Sequence, residues 1–115
     1  MLLLKRKIAF VALVTLVTAC GEKRPADVLS KEEMVQVLEE VYVAEARLSQ
    51  LALPRDSARV LAKVVNRRIF ESAGVSDSVV MRSLDYYMAR PGELEEIYSA
   101  LVDTLQLREQ RAKQP

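Results

Sequence analysis

The sequence predicts an all-α fold: a compact bundle of about four short helices after a cleaved N-terminal signal segment. Three observations carry this. Apolar residues recur at three- and four-residue spacing through four successive stretches, the pattern of amphipathic helices. The stretches are separated by helix-breaking residues: Leu51-Ala52-Leu53-Pro54, Gly74 and Pro91. Strand-like alternation is absent apart from short valine pairs, which fit the helical period better.

The first twenty residues, MLLLKRKIAFVALVTLVTAC, form a separate unit. Lys5, Arg6 and Lys7 make a basic start, and Ile8 to Val17 an apolar run broken only by Thr15. That run is about ten residues long, whereas a helix needs roughly 20 to cross a bilayer, so it reads as a signal for export. Val17-Thr18-Ala19 then lead directly into Cys20, the chain's single cysteine. The arrangement resembles the lipobox of bacterial lipoproteins, with Val17 and Thr18 as tolerated variants. The resemblance implies cleavage before Cys20, a diacylglycerol on its thiol and a further acyl chain, such as palmitate, on the new amino terminus. Several chains on one residue hold durably, because each buried CH₂ contributes about 0.8 kcal/mol and a single chain binds only reversibly. The expected division is a signal peptide over 1–19, a lipidated cysteine and polar tether over 20–29, a helical domain over 30–112 and a tail over 113–115. Glu22 is followed at once by Lys23 and Arg24, so there is no acidic export block after the cysteine. The expected location is therefore the bacterial cell envelope, at the outer membrane facing the periplasm.

Cleavage leaves 96 residues, enough for one domain. The net charge of +1 over the full chain becomes −2 once Lys5, Arg6 and Lys7 are removed, with 14 basic against 16 acidic side chains. This is not the charge of a nucleic-acid binder.

The first helix is expected from about Lys31 to Gln50, with Ser30 and Glu33 at capping-box spacing. Met34, Leu38, Val41 and Leu48 mark its inner side, widened by Val37, Tyr42 and Ala44, with Glu45 near the edge. A second helix begins near Arg55 or Asp56 and runs to Ala73, its inner line traced by Ala58, Leu61, Val65, Ile69 and Ser72 with Val64 and Phe70. Gly74 is the left-handed stop. Ser76 caps a third helix carrying Val79, Val80, Leu84, Tyr87 and Met88. Pro91 opens a fourth, since its missing amide costs nothing in a first turn. Leu94, Ile97 or Tyr98, Leu101 and Leu105 form the apolar face of that helix. Val35, Val43 and Val80 are spare apolar positions, available to an oligomer seam or a wider core.

The residues offer little catalytic chemistry. There is no histidine, the lone cysteine is expected to be acylated, and the three glycines are isolated. No G-x-S-x-G elbow and no phosphate loop occur. Glu39-Glu40 and Glu95-Glu96 are adjacent pairs, which point about 100° apart on a helix and do not face each other. No catalytic residue, metal ligand or cofactor is assigned. The segment VVNRRIFESAGVSDSVVMRSLDYY has a helix-turn-helix cadence, but export and negative charge argue against DNA. Among the tyrosines, Tyr87 and Tyr98 are expected to lend their rings to the core. Tyr86 beside Asp85 and Arg90 is the candidate interaction surface, because such residues are enriched in binding hot spots.

The successions PADVLSKEEMVQVLEEVYVAEA and IFESAGVSDSVVMRSLDYYMARPGELEEIYSALVDTL together resemble a family of small Bacteroidota lipoproteins, the DUF4296 group. The Gly74-Val75, Ser83-Leu84, Tyr86-Tyr87 and Pro91 sequence is its most specific part, and the likeness spans most of Pro25 to Leu107. Where relatives carry a tyrosine shortly before the Ile69-Phe70 pair, this chain has Val65 and Asn66. The resemblance implies a lipid-anchored helical domain and supplies no catalytic set. The leading expectation is a non-enzymatic binding or scaffolding module, held to membrane lipid through acylated Cys20, with an envelope protein as partner. The alternative is a small carboxylate-dependent enzyme or accessory acting on cell-wall or glycan material, which needs converging carboxylates in a cleft. A ligand carrier with a cavity among Tyr87, Tyr98 and Leu101 ranks below both.

Overall fold

The computed structural model describes residues 23–115; the expected signal segment and Cys20 lie outside the described residues. Within them the chain forms four α-helices: α1 (Lys31–Ser49), α2 (Arg55–Ala73), α3 (Asp77–Met88) and α4 (Pro91–Lys113). No described helix is long and apolar enough to cross a membrane.

Local chemistry sets the ends. Ser30 Oγ accepts the Glu33 amide at 3.1 Å and Glu33 accepts the Ser30 amide at 3.2 Å, completing the capping box before α1. Donation from the Ser30 amide, and then from the Ser30 hydroxyl beside it, holds the Glu33 carboxyl below its ordinary pKa, since both donors favour the charged form. The α1–α2 connection passes through Ala52 at φ 50° and Pro54. At the far end of α2, Gly74 takes φ 72°, and the Val75 amide returns to Phe70 O at 2.9 Å. A residue with a Cβ is strained there, which explains the glycine. Ser76 Oγ accepts the Val79 amide to start α3, and Pro91 occupies the first turn of α4.

Helix α1 occupies the middle, packing on α2 along one side and on α4 along the other, while α3 lies against α4. The core gathers Met34, Val37 and Leu38 of α1, Val80 and Tyr87 of α3, and Ile97 and Leu101 of α4. Val80, a spare position by sequence, is thus a core residue. Val28 and Leu29, the last apolar residues of the expected tether, are also buried in this core. Ion pairs then tie α4 to α1 at the surface: Lys31 with Glu96 at 2.5 Å, and Arg108 with Glu39 at 3.1 Å and Glu40 at 2.9 Å. Such exposed pairs contribute little to stability.

Several expectations differ, among them Tyr42 and Met88, which are exposed rather than inward. In α4 it is Ile97 that turns inward, whereas Tyr98 stays 40% exposed. The 100° step between neighbouring helical residues allows only one of them to face α1 and α3. Helix α2, despite its apolar line, contributes no buried residue. It touches only α1 extensively, so Leu61, Val65, Ile69 and Phe70 are covered from one side and remain half-buried.

Candidate functional site

The residues preceding α1 are built into the fold. Asp27 pairs with Arg82 of α3. The Leu29 amide donates to Ser83 Oγ at 2.9 Å, and Tyr87 Oη donates to Leu29 O at 2.7 Å. Ser83 in turn donates to Val79 O at 2.6 Å. A buried residue outside any helix thereby has both backbone polar groups satisfied by side chains of α3. Burial pushes the Tyr87 phenol above its ordinary pKa, because the ionised form would lose water. Ser83 was not apparent as a functional position in the sequence, although Val80, Ser83 and Tyr87 share one helical line.

The candidate surface of Tyr86, Asp85 and Arg90 is only partly assembled. The Arg90 guanidinium lies 3.7 Å from the Tyr86 ring centroid, and it donates to Tyr86 O at 3.1 Å. Tyr86 also meets Tyr87 edge to face, with centroids 5.1 Å apart at 86°. These contacts close the end of α3 and leave Tyr86 and Arg90 half-buried. Asp85 is exposed and has no side-chain partner among the described residues. Tyr86 and Arg90 therefore form one stacked unit that Asp85 does not join.

A concave surface lies elsewhere. The antiparallel α1 and α2 leave between them a groove of about 550 Å³, open to solvent. Val37, Val65, Ile69 and Val75 give it an apolar floor, with Glu33 and Glu40 on one rim and Arg68 on the other. It is a consequence of α2 being covered on one side only.

Several carboxylates are engaged by cations. Glu39 and Glu40 both engage Arg108, and Glu96 engages Lys31. Among the described residues no group of three or more His, Cys, Asp or Glu converges to hold a metal ion. Tyr98 and Tyr42 are both exposed, whereas Tyr87 and Leu101 are buried in the core. The Tyr42 phenol is raised in pKa, chiefly by partial burial and then by Tyr98 beside it.

The fold and surface together define a small all-α domain of four helices with an apolar groove on its α1–α2 side. More particularly, the chain belongs to the DUF4296 family, described as a domain of unknown function, whose family model matches residues 25–111. That span opens at Pro25, whose carbonyl accepts the Val28 amide in the turn that brings Val28 and Leu29 into the core. No curated protein and no solved structure matches the chain.

Proposed function

We propose that the chain is an envelope lipoprotein, anchored at the outer membrane's periplasmic face through acylated Cys20, whose helical domain binds another envelope component without catalysing a reaction. The observation that carries the reading is the sequence Leu16-Val17-Thr18-Ala19-Cys20 at the end of a basic and apolar leader, with no other cysteine in the chain. The fold adds support. Because Asp27, Val28 and Leu29 are held by the domain, only a few residues separate Cys20 from the fold. A domain on so short a tether works beside the membrane.

The binding surface is the α1–α2 groove. Its apolar floor and sparse charged rim suit an apolar segment of a protein partner, held by burial and oriented by Glu33 and Arg68. The carboxylate-enzyme reading has less support, because Glu39, Glu40 and Glu96 are taken up by ion pairs.

Two measurements test this. The intact mass of membrane-extracted protein is expected to correspond to a chain beginning at Cys20 with acyl mass, absent in Cys20→Ala. An unmodified chain cut elsewhere removes the anchor from the account. Next, a photo-crosslinking residue at Ile69 is expected to give a discrete adduct in intact envelopes, with none from the same residue at Val102. Equal or no adducts at both positions remove the groove.

A further inference from the structure

The outward side of α2 is not accounted for by the groove. Helix α2 carries five cations, Arg55, Arg59, Lys63, Arg67 and Arg68, against two acids, Asp56 and Glu71, a balance of +3. The part of the chain from Cys20 onward has 14 basic and 16 acidic side chains, so everything outside α2 has 9 basic and 14 acidic, a balance of −5. The cationic charge is concentrated on one helix of an otherwise acidic domain. Between Asp56 and Glu71 there are four cations and no acid. None of the five enters an ion pair among the described residues, whereas Lys31, Arg82, Arg90, Arg108 and Lys113 all do. Interleaved with them on the outer side are Val60 and Val64, 64% and 43% exposed. A valine pair amid unpaired cations is the composition of a helix that lies on an anionic interface.

The tether brings such an interface within reach. At about 3.5 Å per extended residue, the steps from Cys20 to Pro25 span at most roughly 18 Å. The end of α2 lies beside the start of α1, since Ala73 and Glu33 line the same groove. The cationic helix therefore leaves from the end of the domain that the tether holds. Pairing with α2 of a second copy is disfavoured, as it would set like charges against each other.

We infer that the outer face of α2 rests on the anionic phospholipid headgroups of the membrane that holds the anchor, with Arg59, Lys63 and Arg67 at the phosphates and Val60 and Val64 at the boundary beneath. This inference rests on the lipid-anchored reading above. It fixes the domain's orientation: α2 lies down, and the α4 side faces away from the lipid.

The test uses membrane-extracted full-length protein reconstituted with vesicles of phosphatidylcholine alone or of an equal mixture with phosphatidylglycerol. Val60→Cys and Val64→Cys are each labelled with a charged maleimide, Cys20 being blocked by its acyl group, and Val102→Cys on α4 is the control. Labelling at 60 and 64 is expected to be roughly tenfold slower on the anionic vesicles. The rate should recover in high salt and in the combined Arg59→Glu, Lys63→Glu, Arg67→Glu variant, with Val102→Cys unchanged throughout. Equal labelling on the two kinds of vesicle overturns the inference. So does protection that appears in native envelopes but not on anionic vesicles, which would assign the face to an acidic protein. Flotation separates the two readings. Protein that fails to float with phosphatidylcholine has no working anchor, and the same sample then tests the headgroup contact by floating, or not, with the phosphatidylglycerol mixture.

Discussion

Helices α2 and α3 follow one another through a three-residue turn, yet they take opposite parts in the molecule. Helix α2 has 19 residues and buries none of them; α3 has 12 and buries Val80, Ser83 and Tyr87. Aliphatic content does not explain this, since α2 carries Val60, Leu61, Val64, Val65 and Ile69. Position does. Helix α3 is enclosed by α4 and by the chain segment at Val28–Leu29, so its inner line is covered from two directions. Helix α2 has α1 alone. The difference teaches that a helical hydrophobic line records which side is dry, not how many neighbours will dry it. The consequence here is a division of labour: α1, α3, α4 and the seated N-terminal segment supply stability, and α2 supplies surface.

Substitutions sharpen that division, beginning with the largest effect. Ile97→Ala or Leu101→Ala empties space at fully buried positions and is expected to cost about 2–5 kcal/mol in a urea melt. Val60→Ala and Val64→Ala should change stability by no more than about 0.5 kcal/mol. If the α2 valines cost as much as the α4 positions, the division is wrong.

Next is the seat of Leu29. Tyr87→Phe leaves the buried Leu29 carbonyl without its donor, and a loss of about 1–3 kcal/mol is expected, with Ser83→Ala comparable. The Tyr87 phenol is raised, so its contribution is fully present below its ordinary value of 10.0 and is lost as pH rises through the higher folded value. Alkaline melts should therefore show a destabilisation that Tyr87→Phe lacks. Identical alkaline profiles for the two proteins would mean the hydroxyl is not held in the core.

The smallest effect is at the cap of α1. Ser30→Ala should cost about 1 kcal/mol at neutral pH. Glu33 is lowered, so the capping box's charged contribution is present above the ordinary carboxyl value of 4.5 and is lost as pH falls through the lower folded value. The difference between wild type and Glu33→Gln should shrink in acid; a difference that persists would show that the carboxylate's charge plays no part.

Much of the architecture was legible because punctuation in the chain is local. Ser30 with Glu33, Gly74, Ser76 and Pro91 each set an end through contacts within a few residues, and the four helices begin and end beside them. What escaped was non-local. Val28 and Leu29 read as tether because nothing nearby shows that Ser83 and Tyr87, more than fifty positions on, will satisfy the backbone of Leu29. Tyr98 and Ile97 are neighbours of similar apolar weight, and only the crossing of α4 over α1 and α3 selects Ile97. The groove was invisible for the same reason: it arises from the absence of a second neighbour for α2, which no periodicity encodes. The Tyr86 and Arg90 pair was found by residue type, but its use in closing α3 depends on stacking geometry.

Native-state hydrogen exchange tests the division between core and surface helix most directly, read amide by amide on the full-length protein. The account predicts that the mid-helix amides of α1 and α4 exchange only through global unfolding, while those of α2 open at a clearly lower free energy and independently of them. Equal protection across α1, α2 and α4 would show that α2 is an integral part of the core, and would contradict its role as the surface the domain offers to others.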